Sequence, residues 1–167
     1  MRRQLYARLV RRISIGARPG LAATLALAFV VAGALATSVR ADDKGAATAV
    51  VTAQLSLLDQ ERALNKCLAA SPRKNTPCIT RAARKLAAVA AQGIAQIKAS
   101  LDGTEVACVR TVATQELTIH GLWRRGALAL ANNKRKQAKA LIIKSDQVLQ
   151  AQRRIQPRCF ADVLTGP

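Results

Sequence analysis

The chain has 167 residues, of which 27 are Lys or Arg and 9 are Asp or Glu, for a net charge of +18 at neutral pH. That length is enough for one domain with its own core and too short for two ordinary ones. With one Trp, one Tyr, two Phe and a single His, the composition speaks against base-stacking recognition of nucleic acid and against a metal site built from several imidazoles.

The N-terminus holds Arg2, Arg3, Arg8, Arg11, Arg12 and Arg18 and no acid, and residues 21–39 are uncharged and mostly apolar. A basic stretch followed by an apolar one is the pattern of an export signal. Val39 and Ala41 place small residues where a signal peptidase reads, and Asp42 and Asp43 return the chain abruptly to polar sequence. Cleavage after Ala41 is therefore expected, with residues 1–41 as signal peptide and residues 42–167 as an exported helical domain. The competing expectation is a retained anchor, because residues 21–39 approach the roughly 20 residues that cross a bilayer. Membrane contact through those residues would then leave the rest of the chain exported and facing outward. Ser14 interrupts the apolar residues after Arg11 and Arg12 and weakens a twin-arginine reading, and no Cys lies near Ala41 to carry a lipid. Both expectations put the working part outside the cytoplasm, secreted, periplasmic or anchored on the outer face of the cytoplasmic membrane.

The first 41 residues carry seven of the basic residues and none of the acidic ones, which leaves the exported part at +11. It is rich in Ala, Leu, Gln, Lys and Arg, all good helix formers, and Ala-rich faces bury little area per residue. A first helix is expected over residues 46–68, with Val50, Ala53, Leu57, Leu64 and Leu68 at three- and four-residue spacing. Ser71, Pro72, Asn75 and Pro77 break the pattern, and Thr76 followed by Pro77 is a helix start, a hydroxyl cap before proline. The second helix then runs to Leu101 on a stripe of Ile79, Ala83, Leu86, Ala90, Gly93, Ile97 and Leu101. Asp102 and Gly103 make a tight connection, and Asp102 with Glu105 has the spacing of a capping box. The third helix continues to Ala131 with Val109, Val112, Ile119, Trp123 and Leu130 facing inward. Gly121 and Gly126 each weaken it by roughly 1 kcal/mol, making them the place for a kink or break. After a turn at Asn132 and Asn133, the fourth helix is expected over residues 135–156, with Ala138, Leu141, Ile142, Ser145, Val148, Leu149, Gln152 and Ile155 on one face. Pro157 is expected to stop it, leaving Cys159, Phe160 and Val163 in a tail.

Four amphipathic helices with short connections make an all-α, up-down-up-down four-helix bundle. All four cysteines lie in the exported part, and their spacing fits neither a metal nor a haem pattern, so two structural disulfides are expected. Cys67 and Cys78 are equidistant from the first turn, and Cys108 and Cys159 nearly so from the last. Both pairs meet in a bundle of this topology, whereas the crossed pairings would span about 35 Å, beyond any disulfide. The expected pairs are Cys67 with Cys78 and Cys108 with Cys159, contributing about 3 and about 4 kcal/mol on the chain-entropy model.

The same topology sorts the charges. Residues 59–85 and 121–139 come to one end and hold thirteen Lys and Arg against Asp59 and Glu61, while the rest of the exported chain is neutral. Lys66 and Lys134 sit near helix C-termini, where a cation interacts favourably with the helix dipole; Arg81, Arg84, Lys85, Lys136 and Lys139 crowd N-terminal turns, where cations are disfavoured. The candidate anion-binding set is Arg73, Lys74, Arg81, Arg84, Lys85, Arg124, Arg125, Lys134, Arg135, Lys136 and Lys139, together with free backbone N–H groups at the helix starts. The expected partners are an anionic envelope polymer, an anionic lipid or an acidic protein. Nucleic acid is the weaker option, because rings for stacking are scarce and no DNA-binding motif occurs.

No cofactor or metal is expected: there is no Met after Met1 for haem, no nucleotide-binding glycine loop and one His. Glu116 and His120 are four apart on the third helix, with Trp123 one turn on, and they suit a surface or half-buried ion pair better than an acid–base pair. Asp146 is the one further acid expected near mid-bundle. The leading expectation is an exported, non-enzymatic protein whose basic end binds an anionic partner. The alternative is a small enzyme using Arg81, Arg84 or Arg124 as clamps in a helix-lined pocket; convergence of such a clamp with Glu116 or His120 would mark it.

Overall fold

The structure, a computed structural model, describes residues 38–71 and 76–165. Within them the chain forms four helices: α1 (Ser38–Ala70), α2 (Pro77–Leu101), α3 (Ala107–Ala131) and α4 (Arg135–Thr165). Successive helices pack on one another, and α1 meets α3 and α4 over smaller surfaces. The inward stripes read from the sequence are the buried ones in α1, α2 and α3, with Leu68 and Leu101 only half-buried at the helix ends. In α4 the fully buried positions are Ala138, Ser145, Gln152, Cys159 and Phe160.

The core has two apolar clusters. One holds Leu57, Leu64, Ile79, Leu86, Trp123, Leu130 and Ala138. The other holds Val50, Ala53, Ile97, Val109, Val112, Cys159 and Phe160. Both expected disulfides are present, Cys67–Cys78 with Cα atoms 5.7 Å apart and Cys108–Cys159 with Cα atoms 5.9 Å apart. Thr76 caps α2 as expected, its Oγ1 accepting from the Ile79 N–H at 3.4 Å.

Several local expectations are corrected. Pro157 does not stop the fourth helix, which runs through it to Thr165. Proline removes a single i→i−4 hydrogen bond at an exposed position, while the Cys108–Cys159 bond and the burial of Phe160 hold the turns beyond it. α3 shows no break at Gly121 or Gly126. A Cβ at Gly126 would stand 3.6 Å from Ala138 O, Ile142 Cγ1 and Leu141 Cβ, so the packing of α4 spans the weak point. α1 starts at Ser38 rather than near residue 46. Cleavage after Ala41 would remove its first four residues and spare Asp43; the signal segment before Ser38 and the bulk of the alternative anchor lie outside the described residues.

The Asp102–Glu105 capping box is also replaced. Asp102 ends α2, followed by Gly103 at φ 85°, and α3 begins only at Ala107 with Val106 as its cap residue and no side chain of its own to bond there. The acceptor comes from α1 instead. Asp43, 3% exposed, takes the N–H groups of Glu105 and Val106 on Oδ1, both at 3.1 Å. The Asn132–Asn133 turn follows the expected chemistry: Asn133 lies at φ 60°, and its N–H and that of Lys134 bond back to Leu130 O and Ala129 O at 3.0 and 2.8 Å, which closes α3 in a Schellman motif.

Candidate functional site

The basic residues flank the α1–α2 and α3–α4 connections along the chain. Arg81, Arg84, Lys85, Arg124, Arg125, Lys134, Lys136 and Lys139 are exposed, Arg135 is half-buried, and Arg73 and Lys74 lie outside the described residues. An open depression at the start of α2 is lined by Thr76, Pro77, Thr80, Arg81 and Arg84. The backbone contributes less to anion binding here than the helix start suggests. Pro77 has no N–H, the Ile79 N–H is held by the Thr76 side chain, and the Thr80 N–H bonds to Thr76 O at 3.0 Å. Attraction for an anion at this depression rests mainly on the two guanidinium groups and the summed field of the other cations.

Beside this basic surface lies an acidic pair. Glu61 on α1 faces Asp146 on α4; burial, reinforced by the Asp146 carboxylate, pushes the Glu61 carboxyl up to about 7, against the Asn65 hydrogen bond and Arg62. Partial burial also raises Asp146, with Arg153 opposing the shift. Asp146, the further acid expected near mid-bundle, is set against Glu61.

Between the two apolar clusters sits a polar layer far more buried than expected of a surface ion pair. Glu116 is 1% and His120 0% exposed. The pair joins His120 Nδ1 to Glu116 Oε1 at 3.0 Å. Nδ1 also lies 3.1 Å from Glu116 O; both neighbours are acceptors, so Nδ1 carries the proton. Glu116 Oε2 accepts from Gln54 Nε2 on α1 and from Gln152 Nε2 on α4, both at 2.7 Å. Gln152 Nε2 also reaches Val112 O at 3.3 Å, and Gln156 Nε2 donates to Gln54 Oε1 at 3.0 Å. His120 Nε2 and Ser145 Oγ are buried without a partner. The ring fits because position 93 is glycine: a Cβ there would lie 2.6 Å from His120 Cδ2 and Nε2.

The two constellations do not merge. The depression containing Arg81 and Arg84 does not include Glu116 or His120, and Arg124 is exposed. Three members of the polar layer besides the pair, Gln54, Gln152 and Gln156, were not legible as a group. The available signal was the pair of polar residues Ser145 and Gln152 on the otherwise apolar face of the fourth helix. Among the described residues no cluster of His, Cys, Asp and Glu could hold a metal ion, and no helix is long and apolar enough to cross a membrane. Comparison with family models, with curated proteins and with solved structures returns no match for the chain.

Proposed function

We propose that this is an exported, non-enzymatic protein with up-down-up-down topology, led out of the cytoplasm by residues 1–41, whose basic end binds an anionic partner in the cell envelope or extracellular space. The observation that carries the reading is the exposure of Arg81, Arg84, Lys85, Arg124, Arg125, Lys136 and Lys139 on an open surface, apart from the buried Glu116–His120 pair. A catalytic clamp would need a guanidinium converging with an acid or base around a substrate. A binding surface needs long cationic side chains that remain in water and reach outward, as these do. Two disulfides support an oxidising compartment, extracellular or periplasmic.

Titration of the exported protein with polyphosphate, and separately with vesicles containing anionic lipid, tests the reading at about 50 and about 300 mM salt. Binding at the lower salt that weakens at the higher is expected, with Lys136→Glu and Lys139→Glu together lowering affinity by about tenfold or more. Absence of binding to either probe at low salt, or binding unchanged by the two reversals, would refute it.

A further inference from the structure

The exposed charge is not shared evenly among the helices. α2 contains no Asp or Glu, and the only one in α3, Glu116, is buried. Every charged side chain exposed on these two helices is therefore Lys or Arg. Among the described residues the exposed carboxylates of the helices, Asp59, Asp146 and Asp162, belong to α1 and α4. α2 and α3 pack broadly on each other. Ile79, Ala83 and Leu86 share a core cluster with Trp123, Ala127 and Leu130, so the turns of α2 that expose Arg81, Arg84 and Lys85 lie beside the turns of α3 that expose Arg124 and Arg125.

Five large apolar side chains are exposed among the described residues: Leu55, Leu58, Val106, Leu128 and Ile143. Four of them have a carboxylate close by along the chain, Asp59 for Leu55 and Leu58, Glu105 for Val106 and Asp146 for Ile143. Leu128, 41% exposed, has none. Arg124 and Arg125 come four and three residues before it, a spacing that puts all three on one side of α3.

We propose that the outer surface of α2 and α3 lies against a bilayer containing anionic lipid, with Leu128 entering the boundary between headgroups and acyl chains and the surrounding arginines meeting the phosphates. The proposal rests on the reading that the basic surface binds an anion, and it names the source of that anion. Two contributions add at such a boundary, the attraction of anionic headgroups for each Lys and Arg and the removal of apolar surface from water. Arg and Lys suit it because their stems lie along apolar surface while the charged heads stay in the headgroup layer. A carboxylate beside the inserting side chain would face like charge and lose its water. That disfavours Leu55, Leu58, Val106 and Ile143 as points of insertion and leaves Leu128. A soluble polyanion draws on the cations alone and gains nothing from Leu128, which separates the two sources of phosphate.

The exported protein with both disulfides intact is titrated with polyphosphate, with phosphatidylcholine vesicles and with vesicles that contain roughly one-third phosphatidylglycerol. Binding to polyphosphate and to the mixed vesicles is expected, and none to phosphatidylcholine alone. Leu128→Gln lowers affinity for the mixed vesicles by about fivefold and leaves affinity for polyphosphate unchanged. Leu128→Phe raises vesicle affinity by about twofold or more. Leu55→Gln, at a side chain still more exposed at 54%, changes neither, and Arg84→Gln with Arg124→Gln lowers both. Thermal unfolding and far-UV circular dichroism check that each variant is folded, and the phenylalanine variant decides the matter if the glutamine one is not. Vesicle affinity that Leu128→Gln lowers no more than Leu55→Gln, or a loss of equal size for polyphosphate, overturns the proposal and leaves the anion-binding reading standing. Absence of binding to polyphosphate and to the mixed vesicles alike overturns both.

Discussion

At the scale of single residues, the polar layer depends on one missing side chain. Gly93 sits in the middle of a helix, where glycine is weaker than alanine by about 1 kcal/mol, yet the His120 ring occupies the space a Cβ would take. Gly121, one residue from His120, has nothing within 4 Å of its notional Cβ. The same substitution should therefore act in opposite directions. Gly93→Ala displaces the imidazole and is expected to lower stability by about 2 kcal/mol, and Gly121→Ala is expected to raise it by up to about 1 kcal/mol. Denaturant unfolding of the two variants measures both, and a shift of the same sign at both positions would show that the ring does not depend on Gly93. Glu116 and His120 were recognisable as neighbours because residues four apart on a helix share a face. Their burial was not, because a lone polar pair on one helix carries no information about what the other three helices set over it.

At the scale of elements, the start of α2 and both ends of α3 are explained by where their unsatisfied backbone groups go. α2 begins on its own threonine and α3 ends on its own asparagine turn, and both were legible from residues within a few positions. The start of α3 was not, because its acceptor, Asp43, lies 62 positions before Glu105 in the chain. Asp43→Ala leaves two N–H groups without their acceptor and should lower stability by about 1–2 kcal/mol. Asp43→Asn keeps a side-chain oxygen there and should lower it by less. Faster hydrogen exchange at Glu105 and Val106 in the alanine variant than elsewhere in the connection locates the effect, and uniform acceleration along α3 would count against a local cap. Pro157 makes the same point in reverse. Local chemistry says stop, and long-range anchoring by Cys159 and Phe160 carries α4 on to Thr165.

At the scale of the whole molecule, the disulfides and the core divide the work. The Cys108–Cys159 link closes a loop of sequence separation 51 and the Cys67–Cys78 link one of 11. Removing the longer-range bond as paired alanines should lower stability by about 1 kcal/mol more than removing the shorter one, since loop-closure entropy grows with the logarithm of length. Thermal unfolding of the two double variants tests the order. The number of helices, the inward stripes of the first three, both cysteine pairs and the concentration of Lys and Arg near two turns were determined by the sequence alone. Helical periodicity is a local property, and the rigid rise of a helix limits which cysteines can meet. Only the tertiary structure decided that Asp43 caps α3, that half-buried Gln54 joins buried Glu116, His120 and Gln152 in one polar layer, and that Glu61 faces Asp146. These contacts join residues as far as 98 positions apart. Which polar side chain is withdrawn from water depends on how four helices are rotated against one another, a choice that no single helix records in its own spacing.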